Sequence, residues 1–136
     1  FGQLGPQTYI QYVGGYGTPA AVATYNFEVG SQSWEFNGTT LNSDFTLNLR
    51  GDNVGGTVTD YIDQNRMAEY TYITTNLNNN YAMTAVTIDG SSTGVSTRFR
   101  TGTVPTANQR IVYNIKVIRL TGTSFEIFVD WYDTNI

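Results

Sequence analysis

Histidine and cysteine are both absent from the 136 residues. Without them there is no Ser-His-Asp triad, no thiol nucleophile, no histidine general base and none of the His/Cys ligand sets that hold zinc. No disulfide can form either, whichever compartment the chain occupies. Lysine is nearly missing too. Lys116 is the only one among seven basic residues, which face eleven acidic ones and leave a net charge of −4. A chain so balanced lacks the basic surface that neutralises phosphates on nucleic acid or anionic lipid, so neither partner is expected. Charged residues make up 13% of the chain against a usual quarter, and solubility therefore rests on Thr, Asn, Ser and Gly.

A long apolar helix is also missing. Residues 1 to 27 carry no charge, but the run holds five Gly and two Pro besides Gln, Asn and Thr. It falls short of the ~20 predominantly apolar residues that span a bilayer, and no membrane insertion is expected. The chain opens on Phe1 rather than Met, as a processed product or a fragment would, and a fragment is the expectation.

Apolar residues that alternate with polar ones are abundant, including ten Tyr, seven Phe and two Trp. In "DFTLNLR", Phe45, Leu47 and Leu49 point one way while Asp44, Thr46, Asn48 and Arg50 point the other. A period of two is the mark of a half-buried strand. The same reading places Tyr25, Phe27 and Val29 inward, then Ala68, Tyr70 and Tyr72, then Ala82, Thr84, Val86 and Ile88. Two longer runs, "RIVYNIKVIRL" and "SFEIFVDWY", are separated by Thr121-Gly122-Thr123 and predict a hairpin with one face made of Phe125, Ile127, Val129 and Trp131. Phe128 and Tyr132 interrupt the polar face of the second run, which predicts that another strand or another subunit covers it. The one helical candidate is a single turn in "TDYIDQNR", capped by Thr59 or Asp60 and carrying Ile62. One all-β domain over residues 1–136 follows, an antiparallel sandwich or jelly roll of about eight to ten strands.

Chemistry must then come from carboxylates, loops or aromatics. Seven Asp and four Glu could supply a pair for glycoside hydrolysis, but Glu28, Glu35, Glu69, Glu126 and Asp130 fall on outward strand positions, where solvated charges are ordinarily found. Asp52, Asn53, Asp60 and Asp63 bring oxygen donors close together in sequence without the alternating spacing of a calcium loop, and turn chemistry explains Asp-Asn before Gly-Gly equally well. No metal and no cofactor is expected. Tyr16, Trp34 and Tyr132 lie near turns or strand ends, where a ring could stack on a sugar. Arg98 and Arg100 flank Phe99 and could meet an acidic sugar or a partner's carboxylate, or simply form a solvated face. Arg50-Gly51-Asp52 spells an adhesion tripeptide, yet it closes one strand and opens a turn continued by Asn53, Gly55 and Gly56, which explains it better.

The succession "LNLRG" (47–51), "MTAVTIDG" (83–90), "GTVPTANQ" (102–109) and "IVYNIKVIRLTGTSFEIF" (111–128) resembles the C-terminal module of virion structural proteins of marine tailed phages, especially those infecting cyanobacteria. The likeness covers roughly residues 44 to 130. Two departures stand out: Phe99 occupies a position where that group has Trp, and the first forty residues have no counterpart, so residues 1–40 could serve attachment or oligomerisation. The resemblance implies a non-catalytic virion component, either a tail-fibre or knob module or a capsid decoration protein, acting in particle assembly or host attachment. Its partners would be other virion proteins, copies of itself (a trimer being the usual symmetry of a fibre tip, with Phe128 and Tyr132 at the contact) and a host-surface glycan. The rival expectations are a secreted carbohydrate-binding module and a carboxylate-dependent glycan depolymerase.

Overall fold

The structure, a computed structural model, describes residues 13–14, 21–27, 34–101 and 105–135, with side chains for 21–27, 36, 39–101 and 105–135. Its strands are β1 (Val13–Gly14), β2 (Val22–Asn26), β3 (Trp34–Thr40), β4 (Phe45–Arg50), β5 (Met67–Asn76), β6 (Met83–Ile88), β7 (Val95–Phe99), β8 (Gln109–Arg119) and β9 (Phe125–Asn135). They form two sheets, one of six strands in the order β1-β3-β5-β8-β9-β7 and one of three in the order β2-β4-β6. The chain is an all-β sandwich.

Strand direction departs from expectation. Among the described pairings only β5–β8 and β8–β9 are antiparallel, while β1–β3, β3–β5, β2–β4, β4–β6 and β7–β9 are parallel. The cause is the chain's path. From β2 to β7 successive strands alternate between the two sheets, so neighbours such as β2 and β4, β3 and β5, or β4 and β6 are two strands apart in the chain and run in the same direction. A parallel crossover usually carries a helix; here a strand of the opposite sheet takes that place. Only β8 and β9 form the predicted hairpin, closed by bonds from Leu120 N–H to Ser124 O and from Ser124 N–H to Thr121 O, with Gly122 at φ +54°.

The inward rows meet between the sheets. Leu47 and Leu49 of β4 are fully buried, as are Ile127 of β9 and Ile111 and Val117 of β8. Phe45 meets Tyr72 and Tyr113 edge to face at centroid distances of 5.7 and 5.9 Å, the geometry that aligns a ring's positive edge with its neighbour's negative face. Tyr113 also ties the sheets together, since its hydroxyl accepts Met83 N–H at 3.1 Å.

Two local expectations are corrected. Thr84 faces solvent and Met83 is buried, because Phe45 pairs with Met83 while Thr46 pairs with Ala85. The extra residue is a bulge, and it changes which side chains face the core on either side of it. The helical turn spans Val58–Asp60, with Thr57 and not Thr59 or Asp60 as its cap, and the Asp60 carboxylate accepts Thr57 N–H at 2.9 Å. Thr-x-x-Asp places both partners of a capping box one turn apart. The turn plugs one end of the sandwich with Val58 and Ile62, and Arg119 holds it there by donating to Thr59 O and Ile62 O.

Candidate functional site: the outer face of the six-stranded sheet

Alternation along β8 and β9 leaves Arg110, Val112, Asn114 and Lys116, together with Glu126, Phe128, Asp130 and Tyr132, on the side away from the core. The register then builds rows across the sheet. Glu69 of β5, Lys116, Phe128 and Arg98 of β7 form one row; Thr71, Asn114 and Asp130 the next; Ile73, Val112 and Tyr132 the third. On the far side the backbone of β3 registers Trp34 with Thr71 and Phe36 with Ile73. The fold thus gathers on one sheet the Phe128, Tyr132, Arg98 and Trp34 positions singled out from sequence. Trp34 is placed by its backbone, and Tyr16 lies outside the described residues.

Phe128 is 40% and Tyr132 51% exposed, so nothing within the described chain covers them. A shallow hollow of about 240 Å³ opens between the first two rows, lined by Glu69, Thr71, Asn114, Lys116, Phe128 and Asp130. Lys116 Nζ lies 3.9 Å from Glu69 Oε1, and Thr71 donates a long 3.4 Å bond to Asn114 Oδ1. Both contacts are loose and exposed, of the kind worth about 0–1 kcal/mol, so an incoming polar group can compete for these side chains.

The two arginines are engaged within the chain. Arg98 Nε meets Glu126 Oε1 at 2.6 Å. Arg100 donates from Nη1 to Trp131 O at 2.6 Å, stacks its guanidinium 5.1 Å from the Trp131 ring and reaches Asp130 at 3.8 Å. It binds the middle of β9 instead of presenting itself to an acidic ligand. Arg110 similarly lies 4.8 Å over the Phe36 ring.

The Arg-Gly-Asp turn is equally self-contained. Arg50 donates from Nε to Asn26 Oδ1 at 2.8 Å and from Nη2 to Asn53 Oδ1. Asp52 accepts Val54 N–H at 2.9 Å, Gly56 N–H at 2.6 Å and the Tyr61 hydroxyl at 3.1 Å, and the backbone donors, Val54 first, hold its carboxyl below the ordinary 3.8. A Cβ on Gly51 would collide with the carbonyl oxygens of Gly56 and Thr57. Asp89 closes the arrangement by accepting Gly51 N–H at 3.2 Å and Val58 N–H at 2.9 Å while its own N–H bonds to Leu49 O. The "LNLRG" and "TIDG" segments are therefore neighbouring strand ends that dock on each other. Of the calcium candidates, Asp52, Asn53 and Asp60 already accept N–H or O–H donors, and among the described residues no three His, Cys, Asp or Glu side chains gather as a metal-holding group.

Searches of family models, curated proteins and solved structures found nothing that matches this chain.

Sequence reasoning missed Glu69, Thr71, Asn114 and Lys116 as members of the face. The outward positions of "RIVYNIKVIRL" were visible in the alternation, but β5's place beside β8 was not.

Proposed function

We propose that the chain is a non-catalytic virion structural module, of the tail-fibre, knob or capsid-decoration kind, that acts in particle assembly or host-surface attachment by binding through the outer face of its large sheet. The observation that carries this reading is the contrast between the two outer faces. The small sheet presents Thr24, Asn26, Thr46, Asn48 and Thr87 outward with two aliphatic residues, Val22 and Ala85, and no aromatic ring among them. The large sheet presents Phe128 and Tyr132 half exposed, with the partly buried Ile73 and the buried Val112 in the row beside Tyr132. Aromatics gathered on one open face mark an interaction surface.

At about 3.3 Å per residue and about 4.8 Å between strands, β3, β5, β8, β9 and β7 project roughly 700 Å², a face large enough to divide between a subunit contact and a ligand patch. Tyr132, with Ile73 in the same row, is the subunit contact in this reading, in an oligomer that is a trimer if the module is a fibre tip. The outward carboxylates support binding over hydrolysis, since Glu126, Asp130 and Glu69 each have a cation within 4 Å.

Antibodies raised against the chain test the virion assignment directly. Electron microscopy of tailed phage particles that react with the antibody should show label at tail tips or over the capsid. Label confined to secreted soluble protein or to cell envelopes would overturn it.

A further inference from the structure

We infer that the hollow centred on Phe128 is a subsite for one neutral hexopyranose ring of a polysaccharide, an inference that rests on the host-attachment side of the proposed function and gives its ligand a chemistry. Phe128 offers a half-exposed aromatic face on which the C–H side of a sugar ring can lie. Around it stand acceptors and donors in adjacent rows: the Glu69 and Asp130 carboxylates, the Lys116 ammonium, the Asn114 amide and the Thr71 hydroxyl. A sugar hydroxyl both donates and accepts, so a ring bearing several of them complements such a mixed set, and two adjacent hydroxyls can donate to one carboxylate.

Charge selects the kind of sugar. Lys116 lies 3.9 Å from Glu69 and Arg100 reaches Asp130 at 3.8 Å, so each carboxylate of the hollow already has a cation, while Arg98 is turned to Glu126. A uronate or sulfated ring would have to compete with Glu69 and Asp130 for Lys116 and Arg100, whereas a neutral ring shares its hydroxyls with these groups without displacing a charge pair. Size selects a single ring, because about 240 Å³ lies below the ~300–1,000 Å³ of sites that enclose drug-sized ligands. A second copy of this chain is the poorer occupant. Interface cores are depleted in Lys, Glu and Asp, and burying Lys116, Glu69 and Asp130 at contacts of 3.8 to 3.9 Å would desolvate charges without pairing them closely. The apolar Tyr132 row, about 13 Å along β9 from Phe128, remains available for subunits.

A single shallow ring site implies a dissociation constant on the order of millimolar, and several copies in an oligomer raise the avidity toward a repeating polymer by a factor of about 10² or more. The test is a two-dimensional amide NMR titration of the full chain with maltose, cellobiose and lactose, and with glucuronic acid as the charged control. At least one neutral disaccharide should shift Thr71, Asn114, Lys116 and Phe128 in fast exchange. Phe128→Ala should weaken that binding about tenfold and Glu69→Gln several-fold, both with unchanged spectra elsewhere and unchanged sedimentation, and glucuronic acid should bind more weakly than every neutral sugar that binds. No shift at these residues up to tens of millimolar of any neutral sugar, or tighter binding of glucuronic acid, would overturn the inference. So would a Phe128→Ala variant that loses self-association and no sugar affinity, a result that assigns the hollow to a second copy and leaves the assembly reading standing.

Discussion

At the scale of single residues, Tyr113 carries the clearest consequence. Its ring is 1% exposed, its hydroxyl accepts Met83 N–H across the sandwich, and burial, more than any neighbouring charge, pushes it up to about 12 from 10.0. The fold therefore favours the neutral phenol. Its contribution is fully present below about pH 10, where folded and unfolded chains are both protonated, and is lost as pH rises from about 10 through about 12, where the unfolded chain releases the proton first. Two pH units at 1.36 kcal/mol each put that loss on the order of 3 kcal/mol. Denaturant melts between pH 9 and 12 should show stability falling with this slope. Tyr113→Phe should flatten the slope and lower stability at pH 7 by about 1–3 kcal/mol, because Met83 N–H is left buried and unpaired. An unchanged slope in the variant would locate the alkaline loss in another tyrosine. At this same scale Arg50, Asp52 and Asp89 bind their own turn, so the tripeptide that could be read as an adhesion signal acts as a joint between β4 and β6.

Elements separate what close approach demands from what a turn merely prefers. Gly51 must be glycine because two backbone carbonyls fill the place of its Cβ, whereas Gly122 has open space and only a φ of +54° to justify it. Gly51→Ala should cost about 2 kcal/mol or more by displacing the turn, and Gly122→Ala about 1 kcal/mol from the left-handed backbone alone. Paired denaturation curves would check the order, and equal losses would contradict the packing around Gly51. Strand content and inward faces were legible in the sequence because a period of two reports which side chains share a side: Phe45, Leu47 and Leu49, or Phe125, Ile127, Val129 and Trp131. The β8–β9 hairpin was legible because its turn is short and contains Gly122. Direction was not, since a strand entering a parallel pair alternates just as one in an antiparallel pair does. The bulge at Thr84 escaped for a related reason, as Met83 and Val86 are three residues apart and break the period locally. Of the candidate site, Phe128 and Tyr132 stood out as apolar residues on a polar face, but Glu69 and Lys116 meet only through a register set by the whole sheet.

For the whole molecule, strands that shuttle between sheets make nearly every strand pairing non-local and leave the large sheet with one face in the core and one open. That open face carries both parts of the functional reading: an apolar row around Tyr132 for subunit contact and a charged, aromatic hollow around Phe128 for a ligand. The central claim is that this face, and not a turn or a loop, is the working surface. Sedimentation equilibrium of the chain at micromolar concentration, run beside Tyr132→Lys, tests it most directly. The parent chain should sediment as an oligomer and Tyr132→Lys as a folded monomer, because an ammonium beside Ile73 at this contact would be buried against a partner without a counter-charge. A parent chain that stays monomeric, or an oligomer that Tyr132→Lys leaves intact, would contradict it.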